Sequence, residues 1–115
     1  MTRYLIQGSY APEGAKGLLA QGGTSRRKQI DDMIKKLGGK LETFYWAFGE
    51  TDFYVIAELP DAATAAAIGL TVSGAGAVRT STTVLLTAEE IDKAQKTKVE
   101  YLVPGAVRKT ARKAA

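Results

Sequence analysis

Between Arg3 and Thr87 the chain alternates short β-branched and aromatic runs with segments of helical period, and that order restricts its fold more than any other feature. Residues 3–10 carry Tyr4, Leu5 and Ile6 and close on Ala11-Pro12-Glu13-Gly14, which predicts a strand followed by a turn. Residues 15–20 suit a short helical turn, interrupted by Gln21-Gly22-Gly23. Thr24 or Ser25 then offers an N-cap. Ile30, Met33, Ile34 and Leu37 fall at i, i+3, i+4 and i+7, the stripe of an amphipathic helix that Gly38-Gly39 stops. Residues 40–48 and 53–59, aromatic and β-branched, flank the turn Gly49-Glu50-Thr51-Asp52 and predict a hairpin. Pro60-Asp61 stops that hairpin and caps an alanine-rich helix over 62–72, which ends in the glycines 74 and 76. Residues 78–87 read as a strand. Thr87-Ala88-Glu89-Glu90 has the spacing of a capping box, so a third helix starts there and fades near Lys98.

The order β-α-β-β-α-β is the split βαβ or ferredoxin-like arrangement of the α+β class: a four-stranded antiparallel sheet with helices on one face. At 115 residues the chain fits one domain, predicted over 1–98, with 99–115 a basic C-terminal tail behind the extra helix. The alternating sets within the strands are apolar on both sides. Tyr4, Ile6 and Tyr10 oppose Leu5; Tyr45 and Ala47 oppose Phe44, Trp46 and Phe48; Phe53 and Val55 oppose Tyr54 and Ile56. Whichever set meets the helices, a large aromatic set is expected to face away. A patch of that kind calls for a cover, and a second copy of the chain is the expected one.

Composition narrows the chemistry. The chain has neither Cys nor His, which excludes thiolate nucleophiles, disulfides, imidazole acid/base catalysis and most zinc or copper sites. Asp31-Asp32 and Glu89-Glu90 are adjacent pairs that diverge around a helix, so no metal site and no cofactor is expected. The net charge of +4 is unevenly spread. From Lys93 onward seven basic residues stand against Glu100 alone, whereas the residues before it carry nine basic and eleven acidic side chains. No apolar run approaches the length of a membrane span and no apolar leader opens the sequence, so a cytoplasmic location without membrane contact is expected.

The hairpin brings in a resemblance. Tyr4-Leu5-Ile6-Gln7-Gly8-Ser9-Tyr10, Lys36-Leu37-Gly38-Gly39-Lys40-Leu41 leading to Phe44-Tyr45, Gly49-Glu50-Thr51-Asp52-Phe53, Leu59-Pro60-Asp61 and Val78-Arg79-Thr80-Ser81-Thr82 occur in this order. Together they resemble the GYD-domain family of small bacterial proteins, within the dimeric α/β-barrel group of ferredoxin-like folds, over roughly residues 3–92. Gly49 and Asp52 match two of the name-giving residues, and Thr51 stands where the family has Tyr. The resemblance implies the fold and a homodimer rather than a particular reaction.

Candidate ligand-binding residues are Tyr4, Tyr10, Tyr45, Trp46, Asp52 and Arg79. Phenols, an indole and Tyr54 can line a pocket within a closed dimer, where they orient or stack on a flat ligand, or they can simply fill an interface. Asp52 offers a carboxylate at the sheet edge, or ordinary turn chemistry in which Gly49 supplies positive φ. Arg79, a lone guanidinium in a strand, needs a carboxylate, a phosphate or water, and Glu58 is a candidate partner. Gly22-Gly23-Thr24-Ser25-Arg26-Arg27-Lys28 lacks P-loop spacing and reads as a flexible loop and solvated helix start. In the tail, Arg108, Lys109, Arg112 and Lys113 recur at a spacing of four and suit a protein partner or nucleic acid. No catalytic residue stands out. Two functions remain open: a homodimer that binds a small hydrophobic or aromatic ligand in its barrel, with or without cofactor-independent catalysis, and a non-enzymatic assembly module whose basic tail docks a partner.

Overall fold

The computed structural model describes residues 1–107; the four basic tail candidates, Arg108, Lys109, Arg112 and Lys113, lie outside the described residues. The chain divides at Leu85 and Leu86 into two compact units. The first contains β1 (Thr2–Tyr10), α1 (Pro12–Gln21), α2 (Gly23–Lys36), β2 (Lys40–Trp46), β3 (Phe53–Leu59), α3 (Ala62–Ala75) and β4 (Val78–Leu85). All strand pairs are antiparallel and the sheet order is β2-β3-β1-β4. This α+β topology is that of the ferredoxin-like arrangement, with one helix added.

The added helix is α1. The turn expected at Ala11–Gly14 instead opens a helix, because Pro12 occupies its first position, where the missing N–H costs nothing. Gly14 then permits close packing: a Cβ there would lie 2.3 Å from the Ala77 carbonyl oxygen. Gly22, with φ 85°, separates α1 from α2 and takes the N-cap expected of Thr24 or Ser25, so α2 starts without a side-chain cap. At the other end of α2, Gly38 has φ 84°, its N–H bonds to the Lys35 carbonyl, and the Gly39 N–H reaches Ile34. This is the Schellman stop that the glycine pair implies. Asp61 caps α3 through the Thr64 N–H, and Gly76 closes it in the left-handed region, with the helix running on to Ala75. β2 ends at Trp46 and β4 at Leu85, each two residues short of expectation.

The core lies between the sheet and its helices. Tyr4 and Ile6 of β1, Phe53, Val55, Ala57 and Leu59 of β3, and Leu41 of β2 are buried with Ile34 of α2 and Ile68 of α3. Phe44 and Trp46 pack against the same cluster. The aromatic residues are therefore concentrated on the helix side, which corrects the expectation of a large aromatic set facing away. Only Tyr45 and Tyr54 remain on the other face, beside the half-buried Leu5 and Ile56. A β-bulge between Leu41 and Thr43 leaves Glu42 as the extra residue and rephases β2 so that Phe44 and Trp46 point inward.

The second unit begins at Leu86. Its helix α4 (Ala88–Lys96) has the expected capping box, Thr87 Oγ1 accepting from the Glu90 N–H while Glu90 accepts from the Thr87 N–H. Within residues 98–107 there is one turn, at Pro104-Gly105, and Val99, Tyr101, Leu102, Val103 and Val107 are exposed. Among the described residues no helix is long and apolar enough to cross a membrane.

Candidate functional site

The register of the sheet sorts the functional side chains. Ser9 pairs with Arg79, Gln7 with both Ser81 and Tyr54, and Tyr54 with Tyr45, so these residues share the face opposite α1, α2 and α3. Strands about 4.8 Å apart place each of these neighbours within side-chain reach of the next. At the β4 edge, Gln7, Ser9, Thr51, Arg79 and Ser81 line a shallow cleft of about 290 Å³. Its floor is the backbone at Gly8, and no Cβ fits there, because Phe53 fills the space beneath: the ring would lie 2.2 Å from an added carbon.

Arg79 is exposed, and among the described residues its guanidinium forms no ion pair or hydrogen bond. The partner proposed for it from the sequence, Glu58, is instead engaged by Arg3. That guanidinium grips Glu42 through two bonds of 2.8 Å and reaches Glu58 at 2.9 Å. The Arg3 bond holds the Glu42 carboxyl below its ordinary value of 4.5, with burial acting in the opposite direction. Arg3 and Arg79 stand at opposite ends of the same face, roughly 20 Å apart along six residues of β1. One guanidinium is neutralised by carboxylates and the other has hydroxyls for neighbours.

The six candidate residues do not converge. Tyr45 and Arg79 share the open face, with Tyr45 70% exposed on the strand-edge side. Tyr10 and Trp46 meet on the helix side, where the indole N–H donates to the Tyr10 hydroxyl at 2.8 Å. Tyr10 packs on Phe53 with ring centroids 5.4 Å apart, and Trp46 stacks on Phe44 at 4.2 Å. Tyr4 is buried among the core residues near α3, away from both groups. Asp52 lies in the β2–β3 connection, where its Oδ2 accepts from the Tyr10 N–H at 2.8 Å and its own N–H donates to the Gly8 carbonyl. It ties the hairpin to the end of β1. The positive φ of this connection falls on Phe48, at 55°, rather than on Gly49.

Sequence reasoning missed Ser9, Thr51, Ser81 and Gln7 as neighbours of Arg79. Ser81 and Arg79 are two apart, which puts them on one strand face, but the β1–β4 register is needed to bring Ser9 and Gln7 beside them. Among the described residues no group of three or more acidic side chains could hold a metal ion. The cleft's chemistry is that of a small oxyanion site: a planar, permanently charged donor surrounded by hydroxyl and amide groups.

No curated protein and no solved structure matches the chain. A family model does match, that of the GYD domain, over residues 4–95, which includes the hairpin turn and all of the sheet except Thr2 and Arg3 of β1. The chain belongs to the GYD domain family.

Proposed function

We infer that this chain is a cytoplasmic, self-associating domain that binds a small aromatic or hydrophobic molecule carrying an anionic group. The anionic group meets Arg79 in the cleft framed by Ser9, Thr51 and Ser81, and the flat body lies toward Gln7, Tyr54 and Tyr45. A second copy covers this face and turns the cleft into an enclosed site. The observation that carries the reading is the Arg79 guanidinium, unpaired among the described residues, in a hydroxyl-lined cleft on the same face as the two outward-facing tyrosines. Half-buried Leu5 and Ile56 between the two ends of that face support self-association, since α1, α2 and α3 all pack on the opposite side. The groups at the cleft bind and orient; binding is the activity this reading assigns.

Benzoate tests it as a probe with one carboxylate and one ring. Titrated into isotopically labelled protein, it is expected to shift the amide signals of Ser9, Thr51, Arg79 and Ser81, and Arg79→Ala is expected to abolish those shifts. Undisturbed cleft signals at high millimolar benzoate, or shifts that survive in Arg79→Ala, overturn the reading and turn attention to the assembly-module alternative with its basic tail.

A further inference from the structure

On the helix side the sheet is incompletely covered. α2 and α3 both lie over it, yet between them a small cavity of about 50 Å³ remains, lined by Ile30, Met33, Phe44, Ile68 and Val72. A second, outer cleft of about 200 Å³ adjoins it beneath α1, bounded by Gly14, Gly17 and Leu18. Tyr10, Arg26 and Val78 line both spaces and so mark their junction. The inner space is apolar, and the polar groups are gathered where it opens.

Two donors stand at that junction. Arg26 is half-buried and has no carboxylate partner among the described residues; it touches only the Gln29 side-chain oxygen, at 3.2 Å. The Tyr10 hydroxyl accepts the Trp46 indole N–H, which leaves its own proton without an acceptor among the described residues. Glu13 lines the outer cleft without pairing with Arg26. A guanidinium and a free phenol O–H beside an apolar hole are complementary to a carboxylate with a short hydrocarbon group.

We propose that this junction is a second binding site, separate from the Arg79 cleft, for a short-chain aliphatic monocarboxylate. The carboxylate sits against Arg26 and the Tyr10 hydroxyl, and the hydrocarbon group enters between α2 and α3. Size decides the class of ligand. An apolar cavity of about 150 Å³ takes up benzene. The inner space is a third of that, enough for a branch the size of an isopropyl group and too small for a ring.

The test is a titration of the full-length protein with 3-methylbutanoate, followed by methyl and amide NMR signals. The expected result is saturable shifts at the Ile30, Met33 and Ile68 methyl groups at millimolar concentration. The uncharged 3-methylbutan-1-ol binds at least about tenfold more weakly, because it lacks the charge-assisted contact. Arg26→Gln weakens the acid by a similar factor while leaving the melting temperature unchanged. Val72→Phe fills the inner space from the half-buried wall of α3 and abolishes the methyl shifts. Arg79→Ala leaves the titration unaltered. The proposal is overturned if the acid causes no methyl shifts, if the alcohol binds equally well, if Arg26→Gln changes nothing, or if the shifts map to Ser9, Arg79 and Ser81.

Discussion

The two faces of one sheet solve opposite problems with the same strands. On the helix side, alternate residues of β1 and β3 (Tyr4, Ile6, Phe53, Val55, Ala57 and Leu59) are less than a tenth exposed and share one apolar core with Ile34 of α2 and Ile68 of α3. One residue along, the open side carries Arg3, Gln7, Ser9, Tyr54 and Glu58. Volume governs the first face, and charge and hydrogen bonding govern the second. The difference teaches where to look for function: a side that packing does not explain, and that holds among hydroxyls a guanidinium unpaired within the described residues, is a side with chemistry left over.

That comparison can be broken first at Leu59, which is fully buried. Leu59→Ala is expected to cost about 2–5 kcal/mol by urea denaturation, whereas Leu5→Ala on the open side costs about 1 kcal/mol or less in dilute, dissociated protein. Equal losses would show that the faces are not distinct. Gly8→Ala comes next. An added methyl must push the Phe53 ring aside, and overpacking of this kind costs about 1–3 kcal/mol; because the ring lies beneath the cleft floor, the same variant is expected to weaken benzoate binding.

A smaller effect comes from acid. Glu42 and Asp61 both have folded pKa values below their ordinary 4.5 and 3.8, the first through Arg3 and the second through the Thr64 backbone N–H. Each stabilises the fold fully above its unfolded value, and that contribution is lost as pH falls through the lowered folded value. Glu42→Gln and Asp61→Asn are therefore expected to lower the urea midpoint at pH 7 and to lie closer to the parent protein at pH 3. A gap that widens in acid would contradict the assignment. Smallest of all is Arg79→Ala, expected to change stability by no more than about 0.5 kcal/mol, as at an exposed position that forms no ion pair among the described residues. A large destabilisation there would give Arg79 a structural role.

Much of the fold is legible in the sequence. The capping signals at Asp61 and Thr87, the Gly38-Gly39 stop and the period of α2 all reside in short stretches where a side chain or a positive φ acts on its own neighbours, and they appear where expected. Pro12 and Gly14 suggest a turn ahead of a short helical turn over residues 15–20, but Pro is also favoured at a first helical position, so α1 starts at Pro12, and Gly14 allows the approach of Ala77. The site was less legible for a related reason. Arg79 announces itself, whereas its neighbours depend on the register between β1 and β4, and Glu58, one candidate partner for Arg79, is engaged by Arg3, its neighbour across β1 and β3 and distant from it in sequence. The bulge at Glu42 likewise cannot be read from alternation, yet it brings a second carboxylate to Arg3.

The central claim, that the open face binds an anionic ligand between two copies of the chain, is tested most directly by native mass spectrometry of protein purified from its own host, with Arg79→Ala beside it. The expected result is a dimer, or a multiple of one, with a small adduct that disappears in Arg79→Ala. A bare monomer, or an adduct that Arg79→Ala retains, would contradict it.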